Sequence, residues 1–127
     1  MLKYSQSTGI MTRDELQLAR GWAGQHAGKN NPDMQKVRGV GPLPRGLYTI
    51  GPWEETHGHL GPMVAALHPD PENDMLADDG HERTAFFIHG PSQGANYGQE
   101  SMGCIVMLRA DRSSVKNSGE TRLQVTA

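Results

Sequence analysis

The 127-residue chain predicts one mainly β domain, a sandwich of mixed sheets with one or two short helices. Three observations carry that prediction. Apolar residues come in short runs bounded by glycine, proline, asparagine or aspartate, the punctuation of strands. Glycine occurs 16 times and proline 8 times against 35% hydrophobic residues, so turns are frequent. Nowhere does a 3.6-residue apolar period persist long enough for a long helix. The length suits one core and is too short for a second module.

The elements follow in order. Residues 2–12 read as a hairpin around Thr8-Gly9. Residues 15–22 have mixed periodicity: Leu16, Leu18, Arg20 and Trp22 alternate as in a strand, while Asp14 could cap a short helix, and the strand is favoured. A polar loop over 24–31 leads to a helical turn over 32–37 with Asn31 as cap and Pro32 at its start. Gly41-Pro42-Leu43-Pro44-Arg45-Gly46 introduces a central strand at 47–50, and a glycine- and histidine-rich turn at 57–61 separates it from a strand at 63–67. Residues 70–82 form an acidic loop. The apolar run 85–88 ends at His89 before Gly90-Pro91, a Gly/Asn/Gln loop spans 91–100, and Cys104 opens a second apolar run, 105–108. A short helix over 111–116 and a closing edge strand over 122–126 complete the chain.

A formal net charge of −2 gives no electrostatic reason to expect nucleic acid or an acidic membrane as partner. The single cysteine precludes an intramolecular disulfide, so the fold does not depend on an oxidising compartment. No apolar export segment opens the sequence, and no stretch is long enough to insert in a bilayer. The expectation is a soluble protein made in the cytoplasm without a signal peptide.

Cys104 follows His89 by fifteen residues. A thiol is a useful nucleophile only when a neighbour draws off its proton, and a histidine can do so. Two strands ending in these residues would present base and thiol from a rigid sheet, and Gly103 lets backbone N–H groups turn toward a ligand. Taken alone, a cysteine before an apolar run is ordinarily a buried core residue. Papain-like and amidase-type cysteine enzymes place cysteine before histidine, and caspases and sortases place the histidine much further upstream.

His89-Gly90 followed by Ser101-Met102-Gly103-Cys104 resembles the YkuD-like L,D-transpeptidases, whose motif is a histidine, a short loop and Ser/Thr-x-Gly-Cys. Tyr4-Ser5-Gln6-Ser7-Thr8-Gly9, Gly28-Lys29-Asn30-Asn31-Pro32-Asp33-Met34-Gln35 and Gly41-Pro42-Leu43-Pro44-Arg45-Gly46-Leu47-Tyr48 are similar to the type VI secretion effector branch of that superfamily. The resemblance spans residues 2 to about 110. Two positions depart from it: Met102 and Val106 stand where many relatives carry histidine and arginine.

The resemblance implies a YkuD-like fold and an L,D-carboxypeptidase or L,D-transpeptidase that exchanges D-amino acids on peptidoglycan stem peptides. Cys104 would be the nucleophile, His89 the base and then acid, and the Gly103 and Cys104 N–H groups the oxyanion donors. Ser101 would line the site or orient His89, or else only hydrogen-bond backbone at its turn. Arg83 could hold a substrate carboxylate or simply start its strand, and Gly90, Met102, Lys29, Asn30 and Asn31 complete the candidate substrate-binding set. No metal or organic cofactor is expected. Delivery by a type VI secretion apparatus into a neighbour's periplasm is implied, with an immunity protein and an apparatus component as partners; a phage-borne lytic route is the other way to the wall. The rivals are a cysteine peptidase or acyltransferase acting on protein, and a non-catalytic wall-binding module.

Other clusters read more plainly. His57, His59, His68 and His81 lack structural-zinc spacing. The acidic loop has Met75 where a calcium loop of the EF-hand type needs glycine, so it reads as solvated, or as a lid over the site. Trp22, Tyr48 and Trp53 are expected in the core or at its rim.

Overall fold

The hairpin, the strands and the helix are all present, and their strands join into one closed sheet. The computed structural model describes residues 1–92, 94 and 97–127; Gln93, Ala95 and Asn96 of the 91–100 loop, and the side chain of His59, lie outside the described residues. β1 (Leu2–Ser5) and β2 (Ile10–Arg13) pair antiparallel. β3 (Leu16–Ala23) resolves the mixed periodicity as strand, with Asp14 and Glu15 at φ 51° and 68° forming a turn. Asn31 caps the single 3-10 turn Pro32–Met34 by accepting the Asp33 N–H at 3.1 Å.

β4 (Gly46–His57) and β5 (Gly61–Pro69) both run longer than the sequence suggests. Gly51-Pro52 does not end β4: the register shifts between Ile50 and Trp53, so the proline sits in a bulge where no ladder N–H is needed. β6 (Phe86–His89) and β7 (Ile105–Met107) are short and parallel to each other. α1 (Arg109–Asn117) packs across β3, tied by the Asp111 carboxylate, which accepts the Arg20 N–H at 3.1 Å. β8 (Arg122–Thr126) is not the edge strand expected. It pairs antiparallel with β4 and parallel with β1, and so closes the order β1-β2-β3-β7-β6-β5-β4-β8 into a barrel. Closure gives β8's backbone groups partners on both sides, which an edge would leave open.

Inside the ring lies one core, with Leu2 and Tyr4, Met11, Tyr48, Ile88, Ile105 and Leu123 all without solvent exposure. The Tyr48 hydroxyl donates to the Pro44 carbonyl at 2.7 Å, which explains a phenol in that core. Trp53 packs on the core from its margin. Because β8 both fills and closes the barrel, Leu123→Ala should lower unfolding free energy by about 3 kcal/mol. Gln124→Ala, one residue on, should change it by less than about 0.5 kcal/mol. Denaturant titration of the two variants checks the contrast.

Candidate active site

Parallel pairing of β6 with β7 sets the geometry. Ile88 and Ile105 are register partners and both fully buried in the core, so their neighbours His89 and Val106 face the other way. The same alternation puts Phe87 on His89's face, and the Phe87 N–H donates to Cys104 Sγ at 3.3 Å. Cys104 sits in the bend just before β7 and packs partly against the core, on the order of 8 Å from His89 at Cα from strand rise and spacing.

The Cys104 thiol is poised as a neutral group. Its S–H lies 3.9 Å from the Ala85 carbonyl, at a residue held at φ 65°. Burial pushes its pKa up; the N–H groups of Phe87 and of Cys104 itself, and the Arg83 charge, pull the other way without overcoming it. His89 is also neutral. Burial, to 6% exposure, pulls its pKa down, opposed by the Gly90 carbonyl and Glu100 and reinforced by Arg112 and His57. Its Nδ1 sits 2.8 Å from the Gly90 carbonyl. A carbonyl only accepts, so Nδ1 carries the proton and Nε2 the free lone pair, the form a general base needs.

Among the described residues no hydrogen bond joins His89 to Cys104. They open into different cavities: His89 lines one of about 710 Å³, Cys104 one of about 300 Å³, and the two share no described lining residue. Such hydrogen bonds are often formed only with substrate bound.

Ser101 is fully buried and bonded only to backbone. Its hydroxyl donates to the Cys104 carbonyl at 2.6 Å and accepts the N–H groups of Gly24 at 2.9 Å and Gly103 at 3.1 Å. It therefore ties the end of β3 to the turn before β7 and does not touch His89. The same bond engages the Gly103 N–H, which corrects the expectation that this group faces an oxyanion. Gly103, at φ 129°, is needed for room: a Cβ there would come within 2.6 Å of both the Arg83 Nη2 and the Phe86 ring.

Arg83 does not offer its guanidinium to a substrate carboxylate. It is 3% exposed and donates to the carbonyls of Gln35, Gly41, Pro42 and Met102 at 2.5–3.0 Å. The exposed Met102 side chain lines the Cys104 cavity, and Gly90 lines the His89 cavity. Lys29, Asn30 and Asn31 line neither. Lys29 Nζ lies 5.0 Å over the Trp22 ring, Asn30 accepts the Ala23 N–H, and Asn31 makes its cap and donates to Ala27, so the polar loop holds itself in place. Asp70, Asp74 and Asp79 of the acidic loop pair with Arg122, Lys36 and Arg38, and Glu82 reaches the Cys104 cavity. No group of three or more His, Cys, Asp or Glu converges among the described residues to hold a metal ion. No described helix is long and apolar enough to cross a membrane.

Two residues that sequence reasoning passes over complete the site. Glu100 accepts the Trp22 indole N–H at 3.0 Å and the N–H groups of Ser92 and Gly98 at 3.1 Å, which ties those two residues to β3. Arg112 crosses from α1 to donate to the Pro62 and Met63 carbonyls. Neither has a local motif: Arg112 acts on carbonyls about fifty residues away, and Glu100 joins nearby loop N–H groups to the distant Trp22 indole.

The profile of the Tlde1 domain family matches residues 17–126. This chain belongs to the Tlde1 domain family. That is a type VI secretion effector domain, related to the YkuD-like L,D-transpeptidases. Among solved structures the Tlde1 chain is similar to an L,D-transpeptidase from Mycobacterium smegmatis, with TM-score 0.52 and 14% identity over 99% of this chain. It spans 58% of that longer chain, and the likeness shows a shared fold. No curated protein matches the sequence.

Two outcomes follow for this Tlde1 domain. Arg83→Lys keeps the charge but loses the planar fork, leaves buried carbonyls unpartnered, and should cost at least about 2 kcal/mol of stability; thermal and denaturant unfolding measure it. The folded pKa of His89 lies below its ordinary 6.5, so protonation favours the unfolded chain. Stability should therefore fall as pH drops through that value, and His89→Gln should flatten the slope in denaturant titrations between about pH 7.5 and 5.

Proposed function

We propose that this Tlde1 domain is a cysteine-nucleophile enzyme acting on peptidoglycan stem peptides, an L,D-carboxypeptidase that also exchanges terminal D-amino acids. The observation that carries the reading is the pairing of β6 with β7, which brings to one seam Cys104, whose Sγ meets the Phe87 N–H, and a neutral His89 that keeps Nε2 free. Family membership supports the wall as target and secretion as the route.

A stem peptide lying across the β6–β7 seam brings its scissile carbonyl between the two cavities. His89 Nε2 takes the thiol proton as Sγ bonds to the carbonyl carbon. The Phe87 and Cys104 N–H groups, which already bear on the sulfur, are the donors available to the oxyanion, each worth about 3 kcal/mol. The C–N bond then breaks, and the imidazolium returns its proton to the departing amine. Water, deprotonated by His89, hydrolyses the thioester to a carboxylate and restores the thiol. A D-amino acid attacking in place of water completes an exchange. Because the resting pair is thiol and imidazole rather than thiolate and imidazolium, proton transfer accompanies attack.

Delivery by a type VI apparatus would place the enzyme in the periplasm of a target cell, with an apparatus component as carrier and an immunity protein in the producer. Mass spectrometry of muropeptides tests the chemistry. Wild type should remove the terminal D-residue or exchange it with added D-amino acid, and Cys104→Ala should lower either rate by at least about a thousandfold. Unchanged muropeptides with active cleavage of protein would shift the reading to a cysteine peptidase. Alkylation by iodoacetamide, followed by mass, should give Cys104 an apparent pKa above the ordinary thiol value; a midpoint below it contradicts a neutral resting thiol.

A further inference from the structure

The His89 cavity holds two cations with no carboxylate of their own. Arg109 and Arg112 line it from the first turns of α1, and among the described residues neither takes part in an ion pair. The one acid lining it, Glu100, is already engaged by the Trp22 indole and loop N–H groups. By contrast, the arginines of the Cys104 cavity are occupied, Arg38 by Asp79 at 2.7 Å and Arg83 by four carbonyls.

Arg112 is the more telling of the two. It is only 6% exposed, and its Nη1 donates to the Pro62 and Met63 carbonyls at 2.6 and 3.1 Å. Its buried Nε has no partner among the described residues. The guanidinium lies so close to Gly90 that a Cβ there would come 2.7 Å from Nη2, which places the charge on the residue next to His89. A nearly buried guanidinium with an unsatisfied N–H, beside a second guanidinium, is costly without an anion. Carboxylate is the group whose paired oxygens match that fork.

We propose that Arg112 and Arg109 form the receptor for the C-terminal carboxylate of the departing D-amino acid, and of the incoming one in exchange. The inference rests on the stem-peptide reading given above. It follows from the direction of proton flow. His89 gives its proton to the departing amine, so that amine leaves on the His89 side. In an α-amino acid the carboxylate is attached to the carbon bearing the amine, so the carboxylate must enter the same cavity. Leu60, Tyr97 and Leu108 give that cavity an apolar lining for the terminal side chain. The consequence is exopeptidase selectivity: a chain end with a free carboxylate is taken, and a continuing or amidated chain is refused.

Two measurements test this and separate it from the function itself. Stem tetrapeptides with a free or an amidated C-terminus are compared by kcat/KM. Wild type should prefer the acid by at least about tenfold, and Arg112→Gln and Arg109→Ala should bring the ratio toward one, mainly through KM. Arg109 is exposed on α1, so its variant keeps the test open should Arg112→Gln fail to fold. In parallel, N-acetyl-D-alanine is titrated into Cys104→Ala while the His89 ring is followed by NMR. The Gly90 carbonyl, Glu100, Arg112 and His57 already bear on that ring. Bound carboxylate should raise the His89 pKa, and the added Arg109→Ala change should abolish the rise. If stem peptides are processed with equal rates for acid and amide, and N-acetyl-D-alanine leaves His89 unmoved, the receptor is overturned while the function stands. If N-acetyl-D-alanine shifts His89 but no stem peptide is processed, the receptor stands and the substrate reading falls.

Discussion

The buried guanidinium of Arg83 is the contact on which the site depends. It has no carboxylate partner among the described residues; four carbonyls, from Gln35, Gly41, Pro42 and Met102, take its place. Three of them belong to a loop without regular structure, which needs an external donor to hold its carbonyls in one arrangement. The fourth belongs to the turn that delivers Cys104. One side chain thus fixes the cavity wall and the approach to Cys104 together. Burial lowers the pKa of Arg83 but leaves a guanidinium charged, so the thiol has a permanent cation beside it.

His89 is supported in a parallel way. Gly103 makes room for Arg83 next to Cys104, and Gly90 makes room for Arg112 next to His89. In each case a glycine adjoins the chemical residue and a guanidinium from elsewhere in the fold packs onto it. The two arginines differ in what remains of their donors: Arg83 is engaged by four protein carbonyls, while Arg112 is engaged by two and its buried Nε has no partner among the described residues.

Much of the secondary structure was legible because it is local. The Thr8-Gly9 hairpin, the Asn31 cap, the runs ending at His89 and starting after Cys104, and the helix near the end each follow from neighbours in sequence. The length of β4 was hidden because Gly51-Pro52 looks like a stop until a partner strand absorbs it as a bulge. The place of β8 was hidden because closure depends on β1, at the opposite end of the sequence. At the site, the cysteine and histidine stand out through residue type and order. The places of Arg83 and Ser101 were not legible for a common reason: their partners are backbone groups, which leave no trace in side-chain patterns. Arg112 was hidden on the same ground, and Glu100 because its Trp22 partner lies far off in sequence.

Closing the ring through β1 and β8 has a kinetic meaning as well. Leu2 lies in register with Leu123, so the pairing spans nearly the whole chain, and the loop it closes costs entropy before any contact repays it. A topology of this kind folds slowly and late. On the ribosome, β6 and β7 emerge before the strand that completes their barrel, and the seam carrying His89 and Cys104 cannot be locked until β8 has been made. The arrangement of the site then arrives in one step with β8, and a chain interrupted before it carries His89 and Cys104 without the closed sheet that positions them.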